Sequence, residues 1–170
     1  MERILIIGCC GAGKTTLAQK LGTLLKIEVV NLDRHYWKPG WVRPHSDDWE
    51  KVLRTLLEKE QWIMDGNYRR TLEMRMSYAD TIIFLDHGRS VCLWRAITKH
   101  LRHKNIQKEV APGCPHKVDW EFVKWIWQYP KNSRLRECAL LDQYKKTKSI
   151  HILRTQKDIT AFLAHTIITP

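Results

Sequence analysis

An early segment of the chain has the pattern of a phosphate-binding loop between an apolar strand and a helix. The segment Gly8–Thr15 has the sequence GCCGAGKT, which fits G-x-x-x-x-G-K-[ST] and directly follows the apolar run Ile4–Ile7. Glycines let such a loop curl until several N–H groups point at one phosphate, beside the positive end of the next helix. Because the flanking segments fit a strand and an amphipathic helix, we interpret it as a nucleoside triphosphate site and not as a turn with an incidental lysine.

The residues of this loop have separate expected roles. Lys14 is expected to contact the β- and γ-phosphates, and the Thr15 hydroxyl is expected to hold Mg²⁺. ATP and Mg²⁺ are therefore the predicted ligands, and the predicted ATP-binding residues of the loop are Gly8, Gly11, Ala12, Gly13, Lys14, Thr15 and Thr16. Cys9 and Cys10 occupy variable positions and are interpreted as small filling residues, the alternative being a thiol made oxidisable by the helix N-terminus.

Composition limits the broad class of protein. The 170 residues are expected to form a single domain over 1–170. The five cysteines contain no C-x-x-C pair, which predicts reduced thiols in a cytoplasmic protein, without a disulfide framework or structural zinc. No segment is apolar over the length that a membrane crossing requires. An excess of 29 basic over 18 acidic residues, a net charge of +11, favours anionic partners such as nucleotides, nucleic acid or anionic lipid.

Apolar runs alternate with amphipathic segments along the chain. Such runs predict strands at 3–7, 27–32, 62–64, 81–86 and 149–153. Strands that alternate with helices form a parallel sheet covered by helices. We predict an α/β fold: a three-layer P-loop NTPase with a five-stranded parallel sheet, helices on both faces and a small helical lid. The lid is expected at about 104–118 and an acceptor-side segment at about 33–60, with loops at 34–41 and 109–115.

Polar residues follow three of the predicted strands, at the edge where parallel sheets bind ligands. Asp86 can reach Mg²⁺ from the end of the fourth strand, and a helix cap is the alternative. Asp33 can orient or deprotonate an acceptor hydroxyl or help to hold Mg²⁺, and a turn residue is the alternative. A tight turn is also the alternative for most of the predicted substrate-binding residues, which are Asp33, Trp37, Asp65, Gly66, Asn67 and Tyr68.

Basic residues are expected to stabilise the charge of a transferring phosphoryl group, because this reaction depends mainly on positioning and electrostatics. The predicted catalytic residues are Lys14, Asp33, Arg95, Arg134 and Arg136. For Arg95 the alternative is a solvated helix face formed with Lys99, Arg102 and His103. The helix predicted at 89–104 is both basic and apolar, and we expect it to pack on the sheet with its charged side toward the cleft. A membrane-surface or nucleic-acid-binding helix is the alternative.

Together, these motifs resemble those of the small P-loop kinases of the adenylate kinase, or nucleoside monophosphate kinase-like, group. The resemblance covers nearly the whole chain in the order of its elements. More closely, the chain resembles the bacterial topology modulation protein family. The segments that carry this resemblance are Leu-Asp at 32–33, WKPGW at 37–41, DGNY at 65–68, CLWR at 92–95, DWEF at 119–122 and WIW at 125–127.

The resemblance implies further roles. In the kinase group the lid carries paired arginines and the loop after the last strand holds adenine, which implies lid-side positions for Arg95, Arg134 and Arg136. By the same correspondence, Arg154 borders the base. The chain departs from adenylate kinases in a tryptophan-rich segment at 34–49 and in a short lid with PGCP at 112–115. The acceptor therefore need not be AMP, or a nucleotide at all.

Two functions are compatible with these observations. The first is an ATP-dependent phosphotransferase that moves the γ-phosphoryl group of ATP to a nucleotide or another small acceptor. The second is an ATP-binding regulator associated with DNA, as the name of the resembled family implies, without small-molecule kinase turnover. The net charge of +11 and the eight tryptophans favour the second, while no helix-turn-helix or zinc-finger pattern supports it.

Overall fold

A five-stranded parallel sheet forms the centre of the computed structural model, which describes residues 1–103, 109–115 and 119–168. Its strands are β1 Arg3–Gly8, β2 Val29–Asn31, β3 Trp62–Asp65, β4 Thr81–Leu85 and β7 Ser149–Leu153, while β5 Glu109–Ala111 and β6 Cys114–Pro115 pair separately. The spatial order in the sheet is β2-β3-β1-β4-β7. All four strand pairings are parallel, so the carboxyl ends of the strands meet at one edge. The predicted α/β fold with a five-stranded parallel sheet is confirmed.

Helices cover both faces of this sheet. Their bounds are α1 Lys14–Leu25, α2 Leu32–Tyr36, α3 Ser46–Leu57, α4 Leu72–Tyr78, α5 Arg89–His103, α6 Trp120–Tyr129, α7 Leu135–Tyr144 and α8 Gln156–Ile168. A 3₁₀ turn, Arg69–Thr71, precedes α4, and a π-helical segment, Pro130–Arg134, joins α6 to α7. In each of these two places the turn continues directly into the next helix.

Alternation of side chains along β1 and β4 divides the core into two layers. Ile4 and Ile6 face a layer formed with α1, α5, α6 and α8, while Leu5 and Ile7 face a layer formed with α3, α4 and α7. All four side chains are fully buried. Apolar residues at every position of a central strand are expected when helices cover both faces of the sheet.

Two segments differ from the sequence-based expectation. The second strand ends at Asn31, and Asp33 lies in α2, because the Asn31 side chain accepts a hydrogen bond from the Asp33 N–H at 3.0 Å and caps a helix there. Helix α2 thus occupies the first part of the segment 34–41 that was expected to be a loop. The described part of the segment 104–118 is a β-hairpin rather than a helix, β5 Glu109–Ala111 and β6 Cys114–Pro115, while 104–108 and 116–118 lie outside the described residues.

Candidate active site

The loop between β1 and α1 is shaped by glycines that no larger residue replaces without strain. Gly8 has a φ of 139°, and a Cβ added there would lie 2.5 Å from the Leu85 carbonyl oxygen. Gly11 has a φ of 80°, and a Cβ there would collide with the Cys92 carbonyl oxygen at the start of α5. Both the backbone conformation and the packing therefore require glycine. The loop is fitted closely between the end of β4 and α5.

The Lys14 ammonium group lies under this loop. Its Nζ donates hydrogen bonds to the carbonyl oxygens of Gly8 and Cys9, each at 3.0 Å. Burial opposes the charge, but Asp65 in particular, together with Asp33, outweighs it and raises the pKa of Lys14. The lysine is therefore a cation at the centre of the loop at neutral pH.

Thr15 contacts a carboxylate from the neighbouring strand. Its Oγ1 donates a 2.6 Å hydrogen bond to Asp65 Oδ2, at the end of β3. Asp65 is 4% exposed, and burial raises the pKa of its carboxyl group, while Lys14 and Thr15 partly offset this effect. A hydroxyl beside a carboxylate is a donor set that suits Mg²⁺. Asp65 is predicted from the sequence as an acceptor residue, and its hydrogen bond with Thr15 places it beside the phosphate loop as well.

Asp86, the predicted partner of Thr15 at Mg²⁺, is engaged with arginines instead. Arg134 donates to it from Nε at 2.6 Å and from Nη2 at 2.9 Å, and Arg154 Nε lies 3.6 Å from Oδ2. The Arg134 hydrogen bonds, although opposed by burial, lower the pKa of the Asp86 carboxyl group. Asp86, Arg134 and Arg154 thus form one cluster. The metal role of Asp86 stays a prediction.

Of the other residues predicted to contact the phosphates, some lie beside the loop and others are exposed to solvent. Arg95 on α5 donates from Nη1 to the Ala12 carbonyl oxygen at 3.4 Å, so it lies beside the phosphate loop. Arg136 is exposed, and because side chains two residues apart point to different sides of a helix, it does not share the face of Arg134. Thr16 is exposed on the first turn of α1. Gly13 adopts a left-handed φ of 99° just before that helix.

The candidate acceptor side is built around Asp33. The Tyr68 hydroxyl donates to Asp33 Oδ1 at 2.7 Å, and burial together with Asp33 raises the pKa of Tyr68. The Tyr68 ring lies 4.3 Å from Tyr36 and 5.4 Å from Trp49, measured between ring centroids. Trp37 packs edge-on against Tyr36 at 5.0 Å. Of the predicted acceptor residues, Asp33, Trp37 and Tyr68 therefore belong to one cluster.

The turn at 66–68 also contacts the phosphate loop. The Asn67 side-chain amide donates a hydrogen bond to the Gly8 carbonyl oxygen, while its own Oδ1 is buried without a partner among the described residues. Gly66 has a φ of 151°, and a Cβ there would lie 2.8 Å from the Leu32 side chain. One short turn therefore connects the phosphate loop, through Asn67, with Asp33, through Tyr68.

Arg75 holds this turn in place, and sequence reasoning missed it. The side chain is completely buried and donates to the carbonyl oxygens of Gly66 at 2.7 Å, Tyr68 at 2.7 Å and Thr71 at 3.3 Å. Burial lowers its pKa to about 10, with Tyr68 and Glu137 opposing the shift. Within the sequence Arg75 looks like any other polar residue of a short helix, so no local signal marked it.

Cys10, the more exposed of the two cysteines in the phosphate loop, lies in surroundings that disfavour its thiolate. Burial raises the pKa of the Cys10 thiol, against the alternative of an activated cysteine in this loop. Among the described residues no group of three or more His, Cys, Asp or Glu side chains could hold a metal ion. No helix in the described ranges is long and apolar enough to cross a membrane.

Comparison with known proteins shows similarity of fold. No protein-family model matches the chain, and no curated protein matches its sequence. The chain has the fold of the small P-loop kinases. Shikimate kinase from Acinetobacter baumannii in complex with shikimate matches with a TM-score of 0.60 and 17% identity, over 97% of this chain and 90% of that one. The resemblance to the topology modulation protein family stays a prediction.

Two further structures support this assignment of fold. Shikimate kinase from Bacteroides thetaiotaomicron matches with a TM-score of 0.51 and 17% identity, over 96% of this chain and 95% of that one. Deoxyadenosine kinase from M. mycoides with bound dCTP matches with a TM-score of 0.50 and 12% identity, over 98% and 99% of the two chains. At these identities the similarity extends to the fold and not to the acceptor.

Proposed function

We propose that the protein is an ATP-dependent phosphotransferase that moves the γ-phosphoryl group of ATP to a hydroxyl or phosphate oxygen of a small acceptor. The observation that carries this proposal is the turn at 66–68. Asn67 contacts Gly8 in the phosphate loop, and Tyr68 contacts Asp33. A nucleotide site and a candidate base held by one turn are what transfer between two bound substrates requires.

The ATP side is assigned to the loop and its neighbours. Backbone N–H groups at 8–15 bind the phosphates, and Lys14 neutralises charge on the β- and γ-phosphates. Arg95, beside Ala12, is placed to contact the same phosphates, and Arg154 borders the base. Thr15 and Asp65 are the residues that best fit Mg²⁺, which would neutralise charge on the phosphate oxygens.

On the acceptor side, Asp33 is the proposed base. One of its oxygens accepts a hydrogen bond from the Tyr68 hydroxyl, and this bond holds the carboxylate in a fixed orientation. The other can accept a hydrogen bond from an acceptor hydroxyl and take its proton as the oxygen bonds to the γ-phosphorus and ADP leaves. Arg134 and Arg136 keep their proposed roles in charge stabilisation. Arg134 would act from its ion pair with Asp86.

A panel assay tests the proposal. Purified protein is incubated with ATP and Mg²⁺ and a set of nucleosides, nucleoside monophosphates and small polyhydroxy acids, and ADP release is followed for each. We expect release above the basal rate with at least one acceptor class, abolished in Lys14→Ala and retained in Lys20→Ala, an exposed residue of the same helix. ATP binding without acceptor-dependent ADP release from any class would contradict the proposal.

The DNA-associated regulator is retained as a second candidate because of exposed tryptophans beside basic residues. Trp94 is 64% exposed on α5 and Trp120 is 77% exposed at the start of α6. Stacking on bases combined with phosphate contacts would give DNA binding that weakens steeply with salt. Absence of DNA binding at low salt would exclude it.

The cytoplasmic location expected from the cysteines stays a prediction.

A further inference from the structure

The β5–β6 hairpin lies directly on the loop at 37–42, at the acceptor side. The Gly40 N–H donates to the Gly113 carbonyl oxygen at 2.9 Å, and the Cys114 thiol donates to the Lys38 carbonyl oxygen at 3.3 Å. Cys114 and Ala111 are 0% and 1% exposed. The hairpin is therefore docked through both hydrogen bonds and burial.

The tip of the hairpin fits only because it is glycine. Gly113 has a φ of 71°, and a Cβ added there would lie 2.8 Å from Pro39 Cβ and 3.0 Å from Pro39 Cα. Those atoms belong to a rigid ring and to backbone, so they cannot move aside easily. Gly40 has a similar φ of 77°, but a Cβ there would meet nothing within 4 Å. The two glycines share a left-handed backbone conformation, which would strain any larger residue, and they differ in packing.

A series of aromatic rings leads from Trp41, the neighbour of Gly40 in the docking loop, to Asp33. Trp41 lies 5.2 Å from Trp37, and Trp37 lies 5.0 Å from Tyr36, which packs on Tyr68 beside Asp33. Trp41 adopts a φ of 63°, which is strained for a bulky residue. Its indole Nε1 is buried without a hydrogen-bond partner among the described residues. A buried donor without a partner is costly unless a ligand satisfies it.

The hairpin lacks the positive charge that a contact with the phosphates of ATP would require. Its sequence, EVAPGCP at 109–115, contains no lysine or arginine. Cations near the phosphate loop include Lys14 and, on α5, Arg95 and Lys99. The residues at 109–115, whose one charged member is Glu109, can exclude water from a substrate, but they supply no cation to neutralise a triphosphate.

We propose that the hairpin at 109–115 is the roof of the acceptor site and takes no part in binding ATP, and that Trp41 Nε1 donates to an oxygen of the acceptor. The acceptor is then a hydroxyl compound with an apolar or planar face toward the tryptophans and an oxygen within reach of Trp41. This inference rests on the proposed function. It makes Trp41, Gly113 and Cys114 specificity residues of the acceptor side.

Cys114 gives a direct measure of the docked hairpin. N-ethylmaleimide labelling of each cysteine is followed by peptide mass spectrometry in wild type, Gly113→Ala and Gly40→Ala. We expect labelling of Cys114 to accelerate about tenfold or more in Gly113→Ala, because the local contact opens, and to stay at the wild-type rate in Gly40→Ala. Since both substitutions strain the backbone alike, general misfolding would accelerate labelling in both variants.

The effect of ATP on the hairpin shows whether the hairpin covers the nucleotide or the acceptor. The dissociation constant of ATP·Mg²⁺, measured by calorimetry, is expected to be unchanged in Gly113→Ala, and ATP·Mg²⁺ is expected not to slow Cys114 labelling in wild type. The acceptor found in the panel assay is expected to slow this labelling, and its KM should rise about tenfold in Gly113→Ala and in Trp41→Phe with the KM of ATP unchanged.

Each contrary result has a distinct meaning. Protection of Cys114 by ATP·Mg²⁺, or weakened ATP binding in Gly113→Ala, would overturn the proposal and assign the hairpin to the nucleotide. Cys114 labelling of Gly113→Ala at the wild-type rate would overturn the docking, whatever the turnover results. If ATP binds but no acceptor is phosphorylated, the proposed function fails, while the two ATP measurements and the labelling still decide which side the hairpin covers.

Discussion

The hydroxyl of Tyr68 donates a 2.7 Å hydrogen bond to Asp33 Oδ1, across 35 residues of sequence. This bond leaves one carboxylate oxygen for an acceptor and fixes the direction in which it points. Asp33 otherwise lies on the short helix α2, whose backbone alone would not orient the side chain. Tyr68 is therefore a positioning residue for the proposed base.

The variant Tyr68→Phe tests this role. We expect acceptor-dependent kcat/KM to fall about 10- to 100-fold, since a hydrogen bond to a charged group is lost, with the affinity for ATP·Mg²⁺ unchanged. Steady-state kinetics with each substrate varied in turn give the measurement. Tyr78→Phe, in a tyrosine outside the site, is the control. A fall in ATP affinity equal to the fall in kcat/KM would point to general disruption instead.

Asp65 and Asp86 are the two candidate carboxylate ligands of Mg²⁺, and the Mg²⁺ dependence of turnover in their Asn variants distinguishes them. Thr15 contacts Asp65 and not Asp86, whose oxygens accept from Arg134. We expect Asp65→Asn to raise the Mg²⁺ concentration for half-maximal turnover about 10- to 100-fold. Asp86→Asn should leave it unchanged. The reverse result would restore Asp86 as the metal ligand and assign Asp65 to the acceptor.

The Asp86–Arg134 pair should contribute to stability in a pH-dependent manner. Because Arg134 lowers the folded-state pKa of Asp86 below its ordinary value of 3.8, the stabilisation is complete above that value and is lost as pH falls through the folded-state pKa. We expect Asp86→Asn to cost roughly 1–3 kcal/mol in the free energy of unfolding at pH 7. This difference should be constant down to about pH 5 and shrink below pH 4.

Urea denaturation across this pH range measures the effect. Asp142→Asn is the matched control, because Asp142 pairs with Lys145 on the surface and both side chains are more than 60% exposed. Such a pair is expected to contribute less than about 1 kcal/mol. Curves for wild type and Asp86→Asn that stay parallel from pH 7 to pH 3 would show that the pair does not stabilise the fold through the ionised carboxylate.

Arg75 should be essential for stability. Substitution by Met leaves the carbonyl oxygens of Gly66, Tyr68 and Thr71 without their donor, which is expected to cost about 3 kcal/mol or more. Arg70→Met, an exposed arginine in the adjacent 3₁₀ turn, is expected to change stability by less than about 0.5 kcal/mol. Urea denaturation gives both values. Equal stability of the two variants would mean that water replaces the arginine.

Much of the fold could be predicted because its signals are local. The pattern at Gly8–Thr15 and the apolar strands depend on neighbouring residues, and the structure confirms the parallel sheet that they imply. Helix α2 was missed since one side-chain cap at Asn31, rather than a periodic pattern, starts it. The hairpin was missed because its strands, Glu109–Ala111 and Cys114–Pro115, are too short to show an alternation.

The side-chain partnerships of the site were harder to predict because they join distant segments. The carboxylates at the strand ends could be identified from the sequence. Their partners could not, because the sequence does not show that Thr15 contacts Asp65 or that Arg134 contacts Asp86. Arg134 and Asp86 are 48 residues apart, and Thr15 and Asp65 are 50 apart. Arg75 is a stronger case, since its partners are backbone carbonyl groups, which leave no trace in residue type.

The most direct test of the account is the transfer of labelled γ-phosphate from ATP to an acceptor. The products of wild-type protein, Asp33→Asn and Lys14→Ala are separated after incubation with Mg²⁺ and the acceptor panel. We expect a phosphorylated acceptor with wild type, about 100-fold less or lower with Asp33→Asn, and none with Lys14→Ala. Label found only in inorganic phosphate, with every acceptor unmodified, would contradict the proposal that this protein is a phosphotransferase.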